Sequence, residues 1–181
     1  MGPFARLEIR FLVVMGAVLL ASCAPDSVYG FPTDEIVVRE VVDGDTIVVT
    51  FPNGQDETIR LLGIDTPETV DPSRPQQCFG REATEFLTNL VPNGTAIWLE
   101  RDAEARDRFG RLLAYAYRSS DDLFINAALL EGGFADLAIF EPNDAHSELL
   151  TSAVTLARTR SAGLWGQCGG PDIALDPAEY N

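Results

Sequence analysis

The stretch RLLGIDTPE, residues 60–68, constrains this chain most, because an apolar strand runs directly into a turn that carries two acids. Pro67 has no N–H and a fixed φ, so it ends the strand and favours an extended conformation at the residue before it. One rigid element therefore carries the guanidinium of Arg60 and the carboxylates of Asp65 and Glu68. Arginine grips phosphate oxygens through paired N–H groups, and carboxylates are ligands of hard cations. The stretch is suited to hold a phosphate and a divalent cation together.

The charge of the chain limits how such a site can reach a polyanion. The 13 positive side chains are all arginine and stand against 28 aspartates and glutamates, which gives a formal net charge of −15. Taken alone, this balance argues against a protein that coats nucleic acid through a broad basic face, because long-range steering of a polyanion would be repulsive. Any phosphate binding must depend on a small, local cluster of arginines.

Hydrophobic periodicity and turn residues predict an α+β domain. The predicted strands cover residues 36–42, 47–51, 57–64, 95–100 and 111–117, and the predicted helices cover 80–90, 126–131 and about 144–162. In the last helix the spacing favours Leu149, Ala153 and Leu156 as the face that packs on the core. A meander of strands, a helix, two further strands and trailing helices predict a five-stranded OB-fold-like β-barrel with three α-helices.

The N-terminus has the pattern of a bacterial export signal. Arg6 and Arg10 flank the start of an apolar run over residues 11–20, which is too short to span a bilayer and is followed by small residues. The sequence LASC that ends at Cys23 resembles the lipobox of bacterial lipoproteins, in which the cysteine is lipidated and becomes the first residue of the mature protein. An ordinary cleaved signal with an incidental cysteine is the alternative.

These patterns divide the chain into four predicted parts. They are a lipoprotein signal peptide over residues 1–22, a tether over 23–34, a globular domain over 35–168 and a disordered tail over 169–181. The tether contains proline and glycine, and the tail shows no periodicity. We expect a protein of the cell envelope, anchored to a bacterial membrane by lipid on Cys23, with its domain in the periplasm or outside the cell.

The two remaining cysteines, Cys78 and Cys168, are most simply interpreted as a disulfide. An exported domain folds in an oxidising compartment, and Cys23 is already assigned to the lipid. Closing so long a loop contributes about 4 kcal/mol of stability in the chain-entropy estimate. Two free buried thiols are the alternative, and a metal site is disfavoured because the sequence has no supporting pattern of cysteine or histidine ligands.

Three motifs in this order resemble the staphylococcal nuclease (thermonuclease) family. They are DGDT at residues 43–46, RLLGIDTPE at 60–68 and RFGRLLAY at 108–115, and their spacing agrees over about residues 36–165. No single motif would suffice, but the combination is specific. The resemblance implies an OB-type barrel with three helices and a calcium-dependent phosphodiesterase, an endonuclease that hydrolyses DNA and RNA. We expect it to act as a monomer.

The resemblance also implies a role for each member of a set of polar and aromatic residues. The metal ligands are Asp45, Asp65 and the backbone carbonyl of Thr66, the general base is Glu68, the ligands of the scissile phosphate are Arg60 and Arg111, and the other substrate contacts are Arg108 and Phe140. Two carboxylates and a carbonyl leave most positions of a calcium ion open to water and phosphate. We therefore expect weak metal affinity without nucleotide.

The chain departs from the family pattern around the nucleotide pocket. Ala138 and Phe140 stand where the well-known bacterial nuclease has two tyrosines, and Phe109 replaces a further tyrosine. Arg108 replaces a lysine and keeps the positive charge. The loss of hydroxyl groups and of one aromatic ring predicts altered substrate affinity and base preference. The predicted catalytic set itself is complete.

Two alternatives compete with an enzyme. A non-catalytic module that binds nucleic acid or another ligand is known to arise when a barrel is retained and its site decays. An envelope lipoprotein that uses its carboxylates only to bind calcium is the second alternative. Completeness of the site favours the nuclease, whereas the strong acidity of the chain favours the alternatives.

Overall fold

A computed structural model describes residues 35–69 and 75–175. The predicted signal peptide, the tether and Cys23 lie outside the described residues, as do residues 70–74 and 176–181. The elements are β1 (Ile36–Val41), β2 (Thr46–Thr50), β3 (Asp56–Leu61), β4 (Gly63–Asp65), α1 (Gly80–Leu90), β5 (Ala96–Glu100), β6 (Leu112–Arg118), β7 (Leu123–Phe124), α2 (Ile125–Glu131), β8 (Asp136–Ala138), α3 (Ser147–Thr159) and α4 (Leu164–Gln167). None of the described helices is both long enough and apolar enough to cross a bilayer.

Five strands form a closed barrel, as the sequence predicts. The strand order is β3-β2-β1-β5-β6 with antiparallel neighbours, and β3 also pairs with β6 in parallel, which closes the sheet. The barrel interior is filled by fully buried branched side chains, including Ile47, Val49 and Ile59. Closure pairs the backbone groups that an open sheet would leave at its edges. The site is therefore built on a rigid frame.

The helices pack against one another and against the barrel strands: α2 contacts α1, α3 and β6, and α1 contacts β1. On α1, Ala83 and Leu87 are fully buried. The face predicted for α3 is wrong at Leu149 and Leu156, which are exposed. Ala153 is buried as predicted, together with Leu150, Val154 and Ala157. The apolar residues of α3 form two neighbouring faces that share Ala153. The contacts of α3 with α2 and β8 bury the face that contains Leu150 and Val154.

The strand predicted to run uninterrupted from residue 57 to 64 breaks at Leu62. Gly63 adopts a φ of 75°, and β4 then leaves the barrel to pair with β8. A side chain at Gly63 would collide with Leu150, so both the conformation and the space require glycine. The buried amide of Asn126 stabilises the break by donating to the Leu62 carbonyl at 2.8 Å. The break lets the two ends of the 60–68 stretch fold toward each other.

The chain beyond Cys168 is wrongly predicted to be disordered over its first part. Cys78 and Cys168 form the predicted disulfide, with Cα atoms 6.0 Å apart. Gly169 and Gly170 have φ values of 82° and 149°, which turn the chain back toward the disulfide. Residues 169–175 then lie beside residues 76–78 and make backbone hydrogen bonds with them. The ordered domain therefore extends past the predicted boundary at residue 168.

Candidate active site

A cavity of about 420 Å³ lies where β3 and β4 meet the turn between β1 and β2. All the residues predicted to hold metal, phosphate or substrate, or to act as the base, line it, namely Asp45, Arg60, Asp65, Thr66, Glu68, Arg108, Arg111 and Phe140. They come from four separate parts of the chain. The structure therefore brings together a set that the sequence presents as distant motifs, while their individual roles stay predictions.

Asp45 joins the β1–β2 turn to the 60–68 stretch. Its Oδ2 atom accepts hydrogen bonds from the backbone N–H and the hydroxyl of Thr66 at 3.0 and 3.1 Å, and its Oδ1 atom accepts one from the Thr46 hydroxyl at 3.0 Å. A Cβ at Gly44 would lie 2.7 Å from Oγ1 of Thr66, so only glycine permits this close approach. The buried carboxylate is thus held in one orientation.

Arg60 lies between the two carboxylates predicted to bind metal. Its Nη2 atom is 3.1 Å from Oδ2 of Asp45 and donates to Oδ1 of Asp65 at 2.9 Å. Its Nη1 atom donates to the carbonyls of Leu61 and Ile64 at 2.7 and 2.8 Å. Four acceptors fix a guanidinium group whose side chain is only 15% exposed. This cation is ordered before any phosphate arrives.

The carboxylates around Arg60 crowd one another. Burial and the neighbouring Asp45 raise the pKa of Asp43 to about 6. Burial also raises the pKa of Asp65, although the Arg60 guanidinium opposes this. Three acids therefore surround a single arginine, and such a site favours additional positive charge.

A divalent cation fits the donor set of this site. Every donor is an oxygen, which suits a hard ion such as calcium. Within residues 35–69 and 75–175, no three acidic, histidine or cysteine side chains are arranged to hold a metal by themselves. A cation bound by Asp45, Asp65 and the Thr66 carbonyl would therefore take its remaining ligands from water and substrate.

Arg111 presents a second guanidinium to the cavity from the start of β6. Its Nε atom donates to Oδ2 of Asp107 at 2.7 Å, and its backbone N–H donates to Oδ1 of the same carboxylate at 2.9 Å. Among the residues that the structure describes, neither Nη atom of Arg111 has a hydrogen-bond partner. Asp107 therefore orients the side chain and leaves its terminal N–H groups for an anion.

Glu68 lies at the cavity on a segment that follows β4. Its Oε1 atom accepts a hydrogen bond from the Thr69 N–H at 2.9 Å, and its own N–H donates to Oε1 of Gln77 at 2.6 Å. Sequence reasoning missed Gln77, because a glutamine in a polar loop matches no motif. Only the folded chain shows its contact with Glu68.

A second cavity of about 440 Å³ adjoins the first and shares with it Arg60, Asp65, Arg108, Arg111 and Phe140. Its rim carries two strongly exposed rings, Phe109 at 70% and Phe140 at 72%. The Arg108 guanidinium lies 4.7 Å from the centre of the Phe109 ring. Exposed rings beside arginines can stack on planar groups such as nucleobases.

Comparison with known proteins gives a consistent result. The family model described as "Staphylococcal nuclease homologue" matches residues 58–167. The chain is 38% identical over 132 residues to a protein named "Thermonuclease" from Staphylococcus intermedius, which covers 73% of this chain and 76% of that protein. It is 35% identical over 128 residues to the "Thermonuclease" of Staphylococcus hyicus, covering 71% and 73% of the two chains. It is also 35% identical over 136 residues to "Endonuclease YncB" of Bacillus subtilis, covering 74% and 63%.

Proposed function

Because this chain belongs to the staphylococcal nuclease family, we propose that it is a calcium-dependent endonuclease that hydrolyses phosphodiester bonds of DNA and RNA. The observation that carries the proposal is the convergence of two carboxylates, two arginines and a glutamate on one cavity. The substrate is a nucleic acid, and the two cavities together offer room for a phosphate and an adjoining base.

The two arginines stabilise the transition state of phosphodiester cleavage. Attack on phosphorus places additional negative charge on the phosphate oxygens, and paired N–H donors bind that charge more strongly than they bind the ground state. Arg60 is held in place by Asp45 and Asp65, and Arg111 by Asp107. Ordered donors need little reorganisation during the reaction, which is the basis of electrostatic catalysis.

Asp45, Asp65 and the carbonyl of Thr66 hold the calcium ion in this proposal. When bound, the ion acts as a Lewis acid that neutralises charge on the phosphate. The chain's own contribution is the fixed orientation of Asp45, which Thr46 and Thr66 hold through three hydrogen bonds.

Glu68 acts as the general base. A carboxylate within hydrogen-bond reach of the attacking water can accept its proton, and such a group contributes about 10²–10⁴-fold to rate. The N–H of Thr69 holds one carboxylate oxygen, at 2.9 Å, which limits the directions in which the side chain can point.

We further propose that the protein is an exported monomer, anchored to a bacterial membrane by lipid on Cys23 and facing the periplasm or the exterior. The lipobox-like sequence before Cys23 supports this location. The Cys78–Cys168 disulfide also supports it, because such bonds persist in oxidising compartments. Labelling cells with a radioactive fatty acid tests the anchor, since Cys23→Ser should abolish incorporation.

A cleavage assay tests the nuclease directly. The full chain, purified in detergent, is incubated with plasmid DNA or RNA in calcium, magnesium or chelator, beside the variant Glu68→Gln. We expect calcium-dependent cleavage of both substrates and a loss of about 10²–10⁴-fold in the variant. Absence of cleavage with every metal would favour a non-catalytic binding module, and undiminished cleavage by Glu68→Gln would reject the assigned base.

A further inference from the structure

Gln77 makes hydrogen bonds with both polar backbone groups of Glu68, its N–H and its carbonyl. The Gln77 backbone N–H donates to the Glu68 carbonyl at 2.9 Å, and the Gln77 side-chain Oε1 accepts from the Glu68 N–H at 2.6 Å. Both polar backbone groups of Glu68 are thus satisfied by one residue. Glu68 lies outside the barrel strands, beyond the end of β4, so these bonds determine where its backbone lies.

Gln77 is itself held by the C-terminal strap, which we define as residues 168–175. Its Nε2 atom donates to Oδ1 of Asp172 at 3.1 Å, and Gln77 pairs with Ala174 in an antiparallel bridge. The neighbouring backbone adds two hydrogen bonds, from the Cys78 N–H to Ile173 and from the Leu175 N–H to Gln76, at 2.7 and 2.9 Å. The disulfide ties this strap to the same loop.

The strap also determines which way the amide of Gln77 points. An ionised carboxylate only accepts hydrogen bonds, so Asp172 requires the NH₂ end of the Gln77 amide. The carbonyl end is then directed to the Glu68 N–H, which needs an acceptor. Asp172 has a φ of 59°, in a region that aspartate tolerates better than most residues. The hydrogen bonds to Asp172 and to the Glu68 N–H therefore fix a single orientation of the Gln77 amide.

We propose that Gln77 is a positioning residue for Glu68, held in place by Asp172 of the C-terminal strap and the Cys78–Cys168 disulfide. The proposal rests on the assignment of Glu68 as the base that activates water. A general base must lie within hydrogen-bond reach of the proton that it removes, and a displacement of about 1 Å can cost about 10²-fold in rate. The strap therefore acts on the speed of the reaction rather than on substrate capture.

The first test replaces Gln77 with methionine, which keeps the volume of the side chain and removes both amide hydrogen bonds. We expect kcat to fall about tenfold or more, while KM and the half-saturating calcium concentration stay unchanged. Gln55→Met is the matched control, because Gln55 is exposed in the turn before β3 and does not line either cavity. Equal kcat values for the two variants would overturn the proposal.

A double variant separates positioning from general destabilisation. If Gln77 acts through the Glu68 carboxylate, Gln77→Met has no further effect on kcat in a Glu68→Gln background. A full additional loss in that background would mean that Gln77 acts by another route and would overturn the proposal. Amide hydrogen exchange gives a readout besides activity, since Gln77→Met should speed exchange at the Glu68 N–H and Gln55→Met should not.

Substitutions of Asp172 distinguish its role in orienting the Gln77 amide from an effect of its negative charge. Asp172→Ala removes the acceptor and should lower kcat as Gln77→Met does, whereas Asp172→Asn keeps an acceptor oxygen and should retain most of the rate. Both variants keep the disulfide, so they stay informative even where Cys78→Ser/Cys168→Ser fails to fold. A loss in Asp172→Asn equal to that in Asp172→Ala would mean that its charge beside Asp65 matters instead.

The controls separate this proposal from the proposed function. If the wild-type chain does not cleave nucleic acid, both the proposed nuclease activity and the proposed catalytic role of the strap are rejected. If the wild-type chain cleaves nucleic acid and its activity depends on Glu68, but Gln77→Met has no effect, the proposed nuclease activity stands and only the positioning role of Gln77 is overturned.

Discussion

The two sides of the cavity are held in different ways. On one side Asp45 and Arg60 belong to the barrel, and their hydrogen bonds join groups on β3, the β1–β2 turn and the start of the following segment. On the other side Glu68 lies beyond the end of β4 and is held by Gln77, which the disulfide and the C-terminal strap hold in turn. We call these the barrel side and the strap side. The residues proposed to bind metal and phosphate and the proposed base are thus held mainly by different contacts, so we expect substitutions to disturb each group separately.

The largest expected effect comes from the arginines of the barrel side. Arg60→Ala and Arg111→Ala should each lower kcat by about 10²–10³-fold, because each removes a donor to the transition state. Only Arg60→Ala should also cost about 3 kcal/mol of stability, since it leaves buried Asp45 without its charge partner. Cleavage assays and denaturant unfolding of both variants measure the two effects.

Arg111 is the internal control for this difference, because its pair with Asp107 is partly exposed and contributes about 1 kcal/mol or less. Equal stability of the two variants would mean that Arg60 is not part of the barrel frame.

Removal of the disulfide should lower the stability of the whole domain and, in the folded protein, should disturb the strap side but not the barrel side. Cys78→Ser/Cys168→Ser is expected to lower the free energy of unfolding by about 4 kcal/mol, because the reduced unfolded chain gains conformational freedom. Chemical denaturation followed by circular dichroism measures this loss. The half-saturating calcium concentration of the folded variant should equal that of wild type. An increase would show that the strap side affects metal binding on the barrel side, which would contradict this prediction.

The exposed rings belong to neither side and should affect substrate capture only. Phe140→Ala and Phe109→Ala should each raise KM by about 5–100-fold, which corresponds to the loss of one stacked base, while kcat is retained. Steady-state kinetics on single-stranded oligonucleotides measures this. Leu149→Ala, an exposed apolar residue on α3, is the control and should leave KM unchanged.

Salt should have the smallest effect and should act on the barrel side. With the two arginines Arg60 and Arg111 on the phosphate, substrate affinity should fall about tenfold between 50 and 200 mM salt. Glu68→Gln should show the same dependence in a binding measurement, because a base does not capture phosphate. A flat response of the wild type would contradict capture by arginines.

The difference between the two sides also explains which features of the fold and of the candidate site can be predicted from the sequence. The barrel strands follow from alternating apolar residues and turn residues, and Asp45, Arg60 and Asp65 lie in short motifs on or beside those strands. Their convergence follows from the topology of the barrel. The roles of these residues and of Thr66, Glu68 and Arg111 stay predictions.

What the sequence misses depends on contacts between distant parts of the chain. Asn126 stabilises the break at Leu62, and α3 packs against α2 and β8; a local sequence pattern contains neither contact. The strap is missed because residues 169–175 have no periodicity and are ordered only by their pairing with residues 76–78. Gln77 is missed for the same reason.

The proposed active site is tested most sharply by the cleavage rate of the full chain as a function of calcium concentration, in wild type, Asp65→Asn and Glu68→Gln. We predict no cleavage in chelator, a higher half-saturating calcium concentration for Asp65→Asn, and a lower maximal rate with unchanged half-saturation for Glu68→Gln. Cleavage that persists without divalent ions, or a calcium dependence that neither substitution alters, would contradict a single cavity in which metal, arginines and base act on one phosphodiester.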